Sequence, residues 1–226
     1  MLNNIIMKKI ITQTSDGSAT LYIPELEEHY HSIKGAHTES IHVFIKNGLQ
    51  FAHSMNPQKR LKVLEVGFGT GLNALLTLEC CVEHALCVEY NSVELYPLKW
   101  EEVKQLNYSN SPQWELLHTC RWGLKQEICN NYTLAKWHTS IHEFESSDID
   151  VVYFDAFAPE KQPDMWTETL FVKIYNMMCD NGVLTTYCAK GCVRRMLEKV
   201  GFVVERLEGP PGGKREILRA IKQISD

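Results

Sequence analysis

Glu65, Gly67, Gly69 and Gly71, in the run "LKVLEVGFGTGLN" at 61–73, are the first residues whose types and spacing suggest a chemistry. An apolar stretch climbs into three glycines on alternate positions. Glycine lets a backbone approach a ligand that a Cβ would hold off. The dinucleotide turn G-x-G-x-x-G is met at Gly67 and Gly69, but Leu72 stands where the third glycine belongs, and Gly71 comes one place early. Glu65 precedes the loop on its strand. Glu89 closes the next expected strand, roughly 20 residues on, where a carboxylate can accept both hydroxyls of a ribose. Acids on either side of such a turn suit a positively charged cofactor. S-adenosylmethionine, a sulfonium that also carries an ammonium, fits this set better than NAD. The plain alternative is a strand-to-helix turn that needs glycine only for its backbone.

A second set lies in "DVVYFDAFAPEKQPDMW", 150–166. A strongly apolar strand ends in Asp155, and a short turn carries Phe157 and Pro159. At the carboxyl end of a central strand, this puts a carboxylate and an aromatic ring beside a nucleotide crevice. Methyl transfer to nitrogen needs such groups. The amine must present its lone pair at close range, and a carboxylate can orient its N–H bonds and take up a proton. Phe157 could stack on a base. The plain alternatives are a helix-capping or turn role for Asp155 and a core ring for Phe157.

These residues need a scaffold, and the chain alternates strands and helices from Leu61 onward. Strands are expected over 62–66, 85–90, 132–138, 149–154, 182–187, 202–207 and 216–221, and helices over 72–83, 92–105, 114–129, 167–178 and 191–200. The runs "KVLEV" and "DVVYF" are apolar almost throughout, as in strands covered on both faces. Only "EGPPGGKR" separates the last two strands, so they form an antiparallel hairpin on an otherwise parallel sheet. The expected fold is α/β, a doubly wound, mostly parallel sheet of seven strands with an antiparallel final strand. Ahead of it, residues 1–56 are expected to form a small cap. It comprises a hairpin about Asp16-Gly17 and a helix that spaces Ile41, Phe44, Ile45 and Leu49 on one face. Residues 57–226 then form the main domain.

Composition narrows the function classes. With 226 residues, 44% of them hydrophobic, the chain is long enough for one large core. No apolar run reaches membrane-spanning length, and the opening "MLNNIIMKKII" lacks the apolar core and cleavage site of a signal peptide. The eight cysteines form no C-x-x-C pair and sit mostly in apolar segments, which suggests reduced thiols, a cytoplasmic location and no metal site. The nine histidines have no zinc-protease spacing and are read as structural or surface groups. A net charge of −5 gives no global attraction to nucleic acid, so any such contact needs a local basic patch.

Five stretches in order carry a resemblance: "YHSIKGAHTESIHVFI", "LEVGFGTGLN", "DAFAPEKQPDMW", "GVLTTYCAKGCVRRMLEKVGF" and "GPPGGKREILRA". Together they resemble the methyltransferase domain of the bifunctional tRNA 5-methylaminomethyl-2-thiouridine biosynthesis enzyme, over nearly the whole chain. The resemblance implies a class I S-adenosylmethionine-dependent fold. The implied reaction is N-methylation of 5-aminomethyl-(2-thio)uridine at the tRNA wobble position, with the anticodon region of tRNA as partner. On that pattern Gly67, Gly69 and Gly71 approach the cofactor, Glu89 holds its ribose and Asp155 faces the acceptor amine. Ser140 stands where the family often has an acid near the adenine, so its hydroxyl or a backbone group is expected there. The oxidoreductase half of the bifunctional enzyme is absent from these 226 residues, so no flavin chemistry is expected of them.

For tRNA, Lys190 and Arg194 in "AKGCVRRMLEK" and Lys214 and Arg215 in "GGKREILR" are expected to contact phosphates, while Lys199 and Arg219 read as solvated charges. Rival readings are a small-molecule amine methyltransferase and a polyamine aminopropyltransferase of related fold. A third is a tRNA-binding relative without a cofactor, against which the intact glycines and Glu89 argue.

Overall fold

A computed structural model describes residues 8–224; residues 1–7, which include most of the segment read for a leader, lie outside it, as do 225–226. The main sheet has eight strands in the order β10-β11-β9-β8-β4-β5-β7-β6. Its parallel centre is β4 (Leu61–Val66), β5 (Val88–Val93), β7 (Tyr132–Trp137), β8 (Ile149–Phe154) and β9 (Met178–Thr186). β8 is buried along its whole length, as its nearly continuous apolar run requires. The C-terminal hairpin of β10 (Phe202–Glu208) and β11 (Glu216–Lys222) inserts β11 antiparallel against β9. β4 and β8 are neighbours although a long stretch of chain separates them. The chain therefore reverses its direction of winding between them, and the crevice above such a pair is where an open α/β sheet binds ligands.

One strand is additional to the seven expected. β6 (Lys125–Cys129) pairs antiparallel with β7 at the sheet edge, within the span read as a helix over 114–129. The helix there is only α5 (Pro112–Thr119), started by Ser111, whose hydroxyl accepts the Trp114 N–H at 3.3 Å. Gly123, at φ 77°, turns the chain back, and the residues that follow, Lys125–Cys129, become the edge strand. The helix expected over 92–105 shrinks as well. β5 runs on to Val93, and only α4 (Trp100–Val103) and a 3-10 turn (Lys104–Leu106) follow. Asn91 and Ser92 look like turn residues, yet they pair in register with Leu64 and Glu65 of β4 and with Ala135 and Lys136 of β7. Strand pairing on both sides outweighs their local preference.

The N-terminal segment forms a small separate sheet of β1 (Ile10–Gln13), β2 (Ala19–Ile23) and β3 (Glu28–His29). Asp16 ties its first turn down. One carboxylate oxygen accepts the Thr14 hydroxyl and the Ser18 N–H, and the other accepts the Thr38 N–H in α1 (Ala36–Ser40). From α1 the chain continues through a π-helical stretch, Ile41–Gln50, into α2 (Phe51–Met55). Val43, Phe44, Ile45 and Leu49 of this segment share one buried core with α3 (Leu72–His84) and the central strands. Opposite that face, α6 (Glu168–Met177) and α7 (Gly191–Val200) cover the sheet through Phe171, Ile174, Val193 and Leu197. The sequence 28–33, held between hairpin and α1, is thereby pressed against the carboxyl ends of β4 and β8.

Candidate active site

Two cavities meet at those strand ends, and five residues line both: Tyr30, His31, Asp155, Ala156 and Phe157. The first cavity follows the glycine loop, with Gly67, Gly69, Asn73, Glu94 and Ser140 on its walls. A Cβ on Gly67 would stand 3.3 Å from the Asp155 carbonyl oxygen, and one on Gly69 3.1 Å from the Tyr30 ring. Positive φ values of 94° at Gly67 and 49° at Gly69, together with these close approaches to β8 and the N-terminal segment, favour glycine at both positions. Gly71 does a different job from the one expected. It precedes α3 in the left-handed region, and a Cβ there would meet His118 at 2.7 Å, so it serves packing behind the loop.

Glu89 is corrected by the structure. It sits near the start of β5, at the far end from the crevice, and pairs with Lys125 at 2.5 Å. That lysine pairing draws its carboxyl below the usual range even against the cost of burial. The acid at the crevice is Glu94, one residue past the true end of β5. Its Oε2 accepts the Gly69 N–H at 3.0 Å and its Oε1 the Tyr96 N–H at 2.7 Å. The signal was present, because Glu94 also follows the glycines by a suitable interval. Asn91 and Ser92 disguised the strand that leads to it.

Glu65 is fully buried beneath the crevice and is not on its wall. Desolvation pushes its carboxyl well above the ordinary range, although Oε2 accepts the Ser92 hydroxyl at 2.7 Å. Its Oε1 has no partner among the described residues, nor does Oδ1 of Asn73. Ser140 does line the crevice, and its Oγ accepts the His142 N–H at 3.2 Å.

Asp155 stands one residue past β8 at the junction of the two cavities. Burial pushes its carboxyl up to about 7, opposed by the Asn73 Nδ2–H that it accepts at 2.9 Å on Oδ2. Phe157 meets the Tyr30 ring edge-on at 5.4 Å, and its carbonyl accepts the Trp166 indole N–H at 2.7 Å. The turn is therefore held by side-chain bonds to its backbone, the Phe157 N–H also donating to Gln162 Oε1 at 3.2 Å. His31, unremarked in the sequence, has its Nε2 3.3 Å from Thr70 Oγ1 and its Nδ1 3.1 Å from Thr20 Oγ1. Burial holds this imidazole down to about 4, so it is neutral near pH 7.

The second cavity is about 600 Å³ and reaches from Asp155 to the C-terminal hairpin. That volume lies within the ~300–1,000 Å³ typical of small-ligand sites. Lys190, Lys214 and Arg215 line it; Arg194 does not, and pairs instead with Glu198 on its own helix at 2.6 Å. Lys190 pairs with Glu160 across the rim. Lys214 donates to Glu39 Oε1 at 3.1 Å and lies 3.5 Å from the centre of the Tyr187 ring. Among the described residues no cluster of His, Cys, Asp and Glu could hold a metal, and no helix is long and apolar enough to cross a membrane.

The crevice suits S-adenosylmethionine by its donor set. Glu94 presents a carboxylate beside the glycine loop, an acceptor suited to hydroxyl donors. The unpartnered Asn73 Oδ1 is a buried acceptor awaiting a donor such as an ammonium, and Asp155 adds negative charge nearby. Comparison with known proteins agrees. A family model described as S-adenosyl-L-methionine-dependent methyltransferase matches residues 99–223. The tRNA 5-methylaminomethyl-2-thiouridine biosynthesis bifunctional protein MnmC of Marinomonas sp. (strain MWYL1) is 30% identical over 85% of this chain, and that of Pseudomonas fluorescens (strain Pf0-1) is 28% identical over 85%. The chain spans 31% and 32% of their respective lengths. The crystal structure of MNMC2 from Aquifex aeolicus superposes with a TM-score of 0.80 at 27% identity, covering 99% of this chain and 75% of that one. With the cofactor crevice, the sheet order and a family match over more than half its length, the chain belongs to the S-adenosyl-L-methionine-dependent methyltransferases.

Proposed function

We propose that this enzyme methylates the primary amine of 5-aminomethyl-(2-thio)uridine at the wobble position of tRNA. The observation that carries the reading is Asp155, a partly buried carboxyl shared by the cofactor crevice and a second cavity with a basic rim. The likeness to the MnmC proteins, whose name states tRNA 5-methylaminomethyl-2-thiouridine biosynthesis, supports the choice of acceptor. The reading carries with it a cytoplasmic location, where tRNA is modified.

When bound, S-adenosylmethionine supplies a methyl on positive sulfur, whose S–C bond breaks as an amine lone pair forms the new N–C bond. The chain's own residues do the rest. Glu94 and the Gly69 backbone hold the cofactor's ribose side, Ser140 lies along the same crevice, and Glu65 shapes the floor beneath. Asp155 orients the acceptor N–H bonds and accepts, on Oδ1 or Oδ2, the proton that the methylated nitrogen sheds. Tyr30 and Phe157 wall the junction with aromatic surface, which limits water where the nitrogen must be neutral to react. Phe157 offers its edge-held ring to the uracil. Lys190 and Arg215 face the phosphates that lead into the cavity.

Mass spectrometry of wobble nucleosides decides the matter. Purified enzyme, cofactor and tRNA bearing 5-aminomethyluridine should yield the 5-methylaminomethyl nucleoside. Unmodified tRNA and free spermidine should gain no methyl group. Methylation of free amines with none on the tRNA would transfer the reading to a small-molecule enzyme.

A further inference from the structure

Lys214 was expected to meet phosphate, but its ammonium is already engaged inside the acceptor cavity. Glu39, buried in α1, accepts from it at 3.1 Å through Oε1 while Oε2 accepts the Ser32 N–H at 3.1 Å. The Tyr187 ring centre is 3.5 Å from its Nζ, a cation–π contact, and the Tyr187 hydroxyl is fixed by donating to the Ala156 carbonyl at 2.8 Å. All of these groups line the cavity that Asp155 closes. A fixed cation thus sits in the compartment that must accept an amine.

We infer that Lys214, pinned by Glu39 against Tyr187, acts electrostatically to keep the acceptor amine in its neutral, nucleophilic form. This rests on the proposed acceptor. An aminomethyl group is largely an ammonium in water, and an ammonium has no lone pair. Asp155 and Glu39 alone would stabilise that charged form, because opposite charges close by favour it. Lys214 opposes them: a second cation in the same enclosed space is repelled by the first. The cavity can then hold a carboxylate ready for the proton without holding the substrate as its salt.

The other charged and titratable groups bordering this cavity are few in kind. Cys188 and Lys190 follow β9, and Arg215 and Glu216 adjoin Lys214, the latter engaged with Arg206 at 2.7 Å. Glu28, His29, Tyr30 and His31 come from the N-terminal segment, with His31 held neutral. Of these, Cys188 lies within electrostatic reach of both Lys214 and Tyr187, and Glu28 within reach of Tyr187.

Because Asp155 also titrates near neutrality, the amine is best read directly. ¹⁵N-labelled 5-aminomethyluridine, titrated by NMR when bound to the cofactor-product complex, should show an amine pKa below that of the free nucleoside. Lys214→Met should raise the bound value by about 1 unit, and Lys214→Arg should restore it. In parallel, Lys214→Met should leave the salt slope of tRNA binding within error of wild type. An unchanged bound amine pKa in Lys214→Met, or a salt slope lowered by about 1, overturns the inference and returns Lys214 to the phosphates. Failure of the nucleoside to bind, with no methylation of the tRNA, would instead sink the proposed acceptor.

Discussion

Asn73 donates its Nδ2–H to Asp155 Oδ2 at 2.9 Å, joining the first turn of the helix after the glycine loop to the end of β8, 82 residues later. The helix that follows the glycine loop and the carboxyl where the two cavities meet are thus joined by one side chain. Desolvation raises the Asp155 carboxyl and the Asn73 bond restrains that rise. The balance leaves a group that changes protonation within the working pH range, as a general base requires.

From this follows the pH dependence of catalysis. Asp155 at about 7 is protonated below that pH and competent above it, so kcat/KM should climb through pH 7. Asp155→Asn should fold and bind tRNA yet react roughly 10²–10⁴-fold more slowly. Asn73→Ala removes a bond to the charged form and should move the limb upward by about 1 pH unit. Single-turnover rates at saturating cofactor test all three, and an Asp155→Asn rate within a few-fold of wild type would make the residue a structural turn.

Cofactor affinity separates two glutamates five positions apart. Glu94→Gln should weaken S-adenosylmethionine binding by about 1–3 kcal/mol, because charge-assisted hydrogen bonds become neutral ones. Glu89→Gln should leave it unchanged, since Glu89 pairs with Lys125 away from the crevice. Calorimetry on both variants is sufficient, and NAD should give no heat of binding. A reversed order would put the ribose at the other end of β5.

Stability against acid should reveal opposed buried groups. His31 and His118, held down by burial to about 4 and about 3, stay neutral in the folded state while the unfolded chain takes up protons below pH 6.5. Each therefore costs stability as pH falls from 6.5 to 5, on the order of 2 kcal/mol. Asp155 acts in the reverse sense: its raised carboxyl holds a proton that the unfolded chain lacks, so its contribution grows as pH falls below 7. Urea titrations at pH 7.5 and 5 should show His31→Asn gaining relative stability at the lower pH and Asp155→Asn losing it. Parallel shifts at both pH values would contradict this assignment.

The rim offers a test of tRNA contact. Lys190→Ala combined with Arg215→Ala should weaken tRNA binding and lower its salt slope by about 1–2, with cofactor affinity untouched. Arg194→Ala should change little, because that guanidinium is committed to Glu198 outside the cavity. Filter binding across a salt series would expose the error if Arg194 carried the larger effect.

Reading the sequence was enough for the elements with strong local signals. Nearly continuous apolar runs marked β4 and β8, alternate glycines marked the loop, and the tight C-terminal hairpin marked the antiparallel strand. Asp155 was legible because it ends a run so apolar that its position at a strand terminus followed. What lay beyond reach depended on pairing partners distant in sequence. β5 extends past Asn91 and Ser92 only because β4 and β7 bond to it on both sides, and that extension puts Glu94 rather than Glu89 at the crevice. β6 exists only as an edge partner of β7. Lys214 looked like any basic residue in a glycine-rich turn until Glu39, 175 positions earlier, met it inside the cavity. Tyr30 and His31 gained a place at the site through β2, where the Leu21 carbonyl accepts the Tyr30 N–H at 2.9 Å and the Thr20 hydroxyl accepts the His31 N–H at 3.1 Å. Periodicity and glycine spacing are local properties of a chain and can be read in one dimension; the choice among several acids or cations of the same type is made by long-range contacts, which only the folded sheet brings together.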